Sequence, residues 1–208
     1  YKRQTLIGID QGHLARVNIE GIEADVRSMN GGENSQFKAR ALELEHVDFA
    51  SLLQAALRGQ IESMNLRAEK LIWEGFEWSG PDPKVPAYAP GGNRIRLALS
   101  RAIATTQYEG TIPVRSFAEL TGLTLEVPPS TEGGRHLAEL GYRKLEFSFT
   151  GQMNYDPRTR DMVMDHFTLS GVKAGRLTFS GRLGNVDPIV LTGVTPQEKM
   201  AALLLANI

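Results

Sequence analysis

The chain has 208 residues, with 23 basic and 24 acidic side chains, a formal net charge of -1 and 0 Cys. The balanced charge, with no long single-sign block, argues against nucleic-acid binding, which needs many uncompensated phosphate contacts. The absence of cysteine excludes thiol catalysis, Cys-ligated zinc and disulfide staples, and a compact chain of this length buries roughly 70% of its unfolded surface and needs no such staple.

The first predicted element spans "ARVNIEGIEADVRSM". Ala15, Val17 and Ile19 alternate with polar residues, and Ile22, Ala24 and Val26 continue in the opposite parity. Alternation of this kind marks a strand with one dry face, and a parity switch at Gly21 reads as a β-bulge. "NGGENS" is a turn, and "QFKARALELEHV" returns as a strand. In "DFASLLQAALRG", Asp48 can cap a helix whose stripe is Leu52, Leu53, Ala56 and Leu57, and Gly59 ends it. "ESMNLRAEKLIWEGFEW" follows as a strand, with Met64, Leu66 and Ala68 alternating before the phase moves to Leu71 and Trp73.

The stretch 79–93, "SGPDPKVPAYAPGGN", holds four of the 10 prolines and reads as a connector or surface loop. Beyond it, "RIRLALSRAIATTQY" alternates at Ile95, Leu97 and Leu99, which favours a strand over a helix built on Leu99, Ala102 and Ile103. "FAELTGLTLEVP" continues as a strand, and "STEGGRHLAELGY" is a loop entering one or two helical turns.

Residues 145–183 carry the most regular pattern. Leu145, Phe147, Phe149, Met153 and Tyr155 share one parity. "DPRT" is a type I turn with Pro157 in its second position, "DMVMDHFTLSG" returns, and "RLTFSGRL" alternates again. Three strands with short links predict an antiparallel meander, dry on one face and wet on the other. Near the end, "TPQEKMAALLLA" offers Thr195 as a cap, Pro196 at the first helical position and Glu198 in a capping box. The expected fold is therefore a β-dominated α+β domain: a twisted antiparallel sheet of meandering hairpins with two or three packed helices. It is taken as a single domain, 1–208, with room for two similar halves (about 1–78 and 94–208) joined by the connector 79–93.

The segment "LGYRKLEFSFTGQMNYDPRTRDMVMDHFTLSGVKAGRLTFSGRLGNV" (140–186) resembles β-hairpin segments of bacterial cell-envelope proteins, in which an "LGY" lead-in, a "YD" turn and a closing "LGNV" recur. Those proteins are broadly similar to the AsmA-type envelope proteins, which carry a membrane anchor and long β-sheets implicated in lipid handling. The resemblance covers about a quarter of the chain, with a weaker echo in "ALELEHVDFASLLQAAL" and "MNLRAEKLIWEGFEW". It implies an exported, periplasmic, β-rich protein tethered to the inner membrane, and it carries over no catalytic residue. No run approaches the roughly 20 apolar residues of a membrane helix. The chain starts at Tyr1 and not at Met, so membrane contact is expected only through an anchor upstream of it.

Little in the chain points to reaction chemistry. His13, His46, His136 and His166 do not fall at metal-ligand spacing, and Asp165 and His166, as strand neighbours, point to opposite faces. "NGGEN", "PGGNR" and "EGGRH" lack the strand–helix context of a phosphate cradle. No nucleophile elbow, Ser-x-x-Lys or HExxH motif occurs. No catalytic residue, metal ligand or cofactor is assigned. The candidate ligand-binding residues are the apolar strand positions Phe147, Phe149, Phe167, Leu177 and Phe179, which serve either as core packing or as a sheet face that holds an apolar ligand. Phe76, Trp78 and Tyr88, near the proline-rich stretch, are candidates for an exposed rim. The expected function is a non-enzymatic envelope module that binds lipid or another apolar ligand. The alternative is an interaction module that holds an envelope protein partner or a second copy through its sheet edge or loops, with a hydrolase a distant third.

Overall fold

The computed structural model describes residues 3–10, 13–26, 34–50, 67–82, 84–86, 88 and 92–192. They form a nine-stranded sheet in which every strand pairs with its neighbours in sequence: β1 (Arg3–Asp10), β2 (His13–Val26), β3 (Ser35–Asp48), β4 (Lys70–Pro81), β5 (Arg94–Glu109), β6 (Ile112–Glu126), β7 (Leu145–Asp156), β8 (Asp161–Gly171) and β9 (Gly175–Leu183). All eight pairings are antiparallel. The expected β-dominated meander is what forms, and the described residues add two short helices, α1 (Glu132–Glu139) and α2 (Ile189–Thr192).

Local chemistry sets the element ends. Between β7 and β8 the Asp156 carboxylate accepts from the backbone N–H groups of Arg158 (2.8 Å) and Thr159 (3.3 Å), which closes the expected "DPRT" turn and holds the carboxyl below its usual range. Thr131 caps α1: its hydroxyl accepts from the Gly134 N–H at 2.8 Å and donates to the Pro128 carbonyl at 2.9 Å. Gly141, at φ +81°, ends α1 in a Schellman motif, its N–H donating to the Ala138 carbonyl while the Tyr142 N–H donates to the Leu137 carbonyl.

Several expectations need correction. Ser79–Pro81 belong to β4 and not to a connector. The β3–β4 ladder ends at Ser79, so Pro81 stands where β3 requires no donor. Arg67–Glu69 precede β4, so Ala68 is not a strand residue; it packs instead against the buried cluster of Leu14, Val17, Leu44 and Val47. Asp48 is the last residue of β3, and Phe49 and Ala50, the described residues of the expected helix, are helical directly after it. The remainder of that helix, Met64 and Leu66 of the strand expected after it, most of "NGGENS" and the helix expected from Thr195 lie outside the described residues. Strand β1 and helix α2 were not anticipated.

The parity switch at Gly21 is a matched slip and not a bulge. Glu20 pairs with Ala41 and Ile22 with Ala39, so the β2–β3 register passes through unshifted. The same two-residue slip recurs on β3, β4, β5 and β6. Trp73 and Phe76 of β4 share a face, with their rings 5.3 Å apart. They oppose Ala102 and Leu99 of β5, which oppose Leu120 and Leu123 of β6. The seam ends between β6 and β7, where the register shifts. Alternate strands absorb the slip with a residue in left-handed backbone: Gly21 (φ +63°), Gly75 (φ +62°) and Gly122 (φ +64°). A Cβ at Gly75 would lie 2.9 Å from the Cβ of Arg40, so the seam needs glycine for space as well as for conformation. His166 of β8, at φ +52°, accompanies register shifts toward both β7 and β9 and is a true bulge.

Candidate functional site: the apolar face of the sheet

Residues directly opposite in an antiparallel pair share a face, so the register maps the two surfaces of the sheet. One row runs Ile19, Leu42, Trp73, Ala102, Leu120, Phe149, Leu169, Leu177, from β2 to β9, with each residue paired to the next and no polar side chain in it. At about 4.8 Å per strand the row spans roughly 34 Å. A second row on the same face contains Ala24, Phe37, Trp78, Leu97, Leu125 and Leu145.

Two well-buried clusters flank this surface. Leu14, Val17, Leu44 and Val47 form one, joined by Ile19, Leu42, Ala68 and Leu71. Tyr155, Met162 and Val186 form the other, into which Val190 and Leu191 of α2 pack. The Tyr155 hydroxyl donates to the Val186 carbonyl at 3.0 Å, and burial raises its pKa. The large side chains between the clusters, Phe37, Trp73, Phe76, Trp78, Leu120, Leu123, Phe147 and Phe149, are only half-buried. Exposure rises toward β9: Leu169 is 42% exposed, Phe179 47% and Leu177 60%.

All five residues singled out in the sequence lie on this face. Phe149 meets Phe167 edge to face at 5.7 Å, and Phe167 stacks on Phe179 at 5.2 Å. Gly151 leaves room for them: a Cβ there would lie 3.0 Å from the Phe167 ring and 3.1 Å from the Phe149 ring. Phe147 pairs with Leu123 and Gly171, and Leu177 pairs with Leu169. A second aromatic group lies in the middle of the sheet, and of its members the sequence marks Phe76 alone, as a rim residue. There Phe37 contacts Trp73 (6.2 Å) and Phe76 (5.4 Å). Its signal is present in the alternation of β3 and β4, but strand order is needed to join it to the rest. The indole N–H of Trp73 is buried without a hydrogen-bond partner among the described residues. Of the expected rim, Phe76 and Trp78 belong to the sheet face itself, and Tyr88 stands 90% exposed.

The opposite face is polar and laddered by charge. The carboxylate of Glu45 takes Arg16 at 2.7 Å and Lys70 at 3.1 Å, which together hold its pKa down to about 2. Glu74 lies between Arg40 (3.1 Å) and Arg101 (3.7 Å), and Asp161 pairs with Arg182 at 2.6 Å. At one end of the ladder a cleft of about 370 Å³ is lined by His13, His46, Asp48, Arg67, Glu69, Tyr108 and Gly110. Within it His46 Nδ1 lies 3.0 Å from the Glu69 carboxylate and Arg67 lies 3.9 Å from that of Asp48. Asp165 accepts from the Asn154 side chain, and the neighbouring His166 is exposed. Among the described residues no three His, Asp or Glu side chains gather as a metal site, and no helix is long and apolar enough to cross a membrane.

Comparison with protein-family models, with curated proteins and with solved structures gives no match to this chain.

Proposed function

We propose that the protein is a non-enzymatic module whose apolar sheet face holds a lipid or another extended apolar ligand. The observation that carries this reading is the unbroken apolar row from Ile19 to Leu177, whose central side chains are half-buried and whose β9 end is open to solvent. A face of this length exceeds the scattered single hydrophobics that any surface carries. Each methylene taken from water onto it contributes about 0.8 kcal/mol, so an acyl chain gains affinity in proportion to the length it lays down. The polar face keeps the opposite side in water, so the sheet presents one oily surface and one wet one. The bacterial envelope, with the periplasmic location and upstream tether that the resemblance implies, is the setting we propose for it.

The test is mass spectrometry of the protein after gentle extraction. Co-purifying lipid that is lost in a Leu169→Glu, Leu177→Glu double variant supports the reading. A preparation free of lipid, from cells and after incubation with total bacterial lipid extract, opposes it.

A further inference from the structure

We propose that the outer edge of β9 accepts an additional strand in antiparallel pairing, supplied by another polypeptide, and that this strand alternates apolar with acidic residues. The inference stands apart from ligand binding by the sheet face and does not require it.

Among the described residues β9 pairs on one side only, with β8. An edge strand normally carries a device that prevents further pairing, such as a proline, a bulge or an inward-pointing charge. Between Arg176 and Leu183 β9 has no proline and no left-handed residue, and its register with β8 is regular on either side of the bulge, which belongs to β8. The other edge differs: β1 holds Gly8 at φ +63°, close against Ala15, so its side-chain alternation switches there while its register with β2 stays unshifted. The apolar row does not taper at β9 either. Leu177 and Phe179 stand more exposed than the residues they pair with, and Phe179 is held flat against Phe167.

Charge identifies the partner. Across the polar face, acidic residues lie between basic ones on adjoining strands, as Glu45 does between Arg16 and Lys70, and Glu74 between Arg40 and Arg101. On β9 the polar-face residues include Arg176 and Arg182. Arg182 meets Asp161 on the inner side, and among the described residues Arg176 donates to the Ser170 hydroxyl, at 3.3 Å. The next strand in this pattern places carboxylates opposite both arginines. A second copy of β9 does not meet the requirement, because centred antiparallel pairing sets Arg176 against Arg182 twice, and like charges directly opposite destabilise a sheet.

The test uses the whole chain and the synthetic peptide VEVTVTVEV, capped at both ends, which places glutamates opposite Arg182 and Arg176 when it pairs antiparallel. Its presence should slow amide exchange in β9 at least tenfold. The lysine counterpart VKVTVTVKV should bind at least fivefold more weakly, and Arg176→Glu should erase that preference while leaving the urea midpoint unchanged. Absence of protection in β9, equal binding of the two peptides, or pairing of β9 with itself in the free protein would overturn the proposal. The peptide comparison uses the unaltered protein, so it decides the question even if the variant folds poorly.

Discussion

Trp73 and Phe76 lie three positions apart on β4, and their rings nevertheless meet edge to face on one surface of the sheet, 5.3 Å apart. Strict alternation would place them on opposite faces. The two-residue slip at Glu74 and Gly75 brings them together, and its repetition from β2 to β6 keeps the apolar face continuous across the sheet.

Gly75→Ala therefore costs roughly 2–3 kcal/mol, combining left-handed backbone with a Cβ placed 2.9 Å from that of Arg40. Gly133→Ala is the control, since beyond the helix's own backbone and the chain neighbours no heavy atom lies within 4 Å of the added group, and α1 gains a better helix former. Urea denaturation of both variants checks the contrast. Equal stability of the two would show that the seam does not constrain the sheet.

The pH dependence follows from Glu45, whose carboxyl is lowered to about 2 by Arg16 and Lys70. A depressed acid contributes stability that is complete above its ordinary value, 4.5, and lost as pH falls through about 2. Wild-type protein loses stability between these values more steeply than Glu45→Gln does. Because the ion pairs face solvent, the variant costs only roughly 1 kcal/mol at neutral pH. Urea midpoints measured against pH for both proteins test this, and parallel curves would remove Glu45 from the account.

His166 occupies left-handed backbone at the β8 bulge with its side chain exposed. If the residue serves only the bulge, His166→Gly relieves backbone strain and either leaves stability unchanged or raises it by up to about 1 kcal/mol, after the entropic cost of glycine. A loss of more than about 1 kcal/mol in thermal or urea unfolding would show that the imidazole contributes an interaction of its own.

Tyr155→Phe removes the donor to the Val186 carbonyl, which lies beside a side chain with 0% exposure. An unpartnered buried carbonyl costs about 1–2 kcal/mol. Chemical denaturation should show that loss with the sheet's far-ultraviolet signal unchanged. Stability equal to wild type would mean that water replaces the hydroxyl.

The sheet was legible wherever alternation runs uninterrupted. Residues 145–183 form adjacent antiparallel strands because Leu145, Phe147 and Phe149, then Leu177 and Phe179, keep strict period two around the Asp156 turn. Strand β1 has no legible pattern: its eight residues put Leu6 beside Ile7, followed by a glycine in left-handed backbone, so no alternation builds up. The seam was legible only at Gly21. At Arg40 and Ala41, and at Ser100 and Arg101, the slip uses ordinary residues that carry no local mark. Phe147, Phe149 and Phe179 follow the alternation of β7 and β9, whereas at Phe167 the His166 bulge shifts the parity set by Met162 and Met164. Phe37, Trp73 and Phe76 could not be joined to them, because that requires strand order across the whole meander.

The two tryptophans of the chain, Trp73 and Trp78, both lie in the apolar rows, so they report directly on whether a chain settles there. The deciding measurement is tryptophan fluorescence during titration with a fatty acid brominated along its acyl chain, beside the unbrominated fatty acid as control. Occupation of the sheet face predicts saturable quenching by the brominated chain alone. Fluorescence unchanged by either fatty acid, or quenched to the same degree by both, would contradict ligand binding on this face.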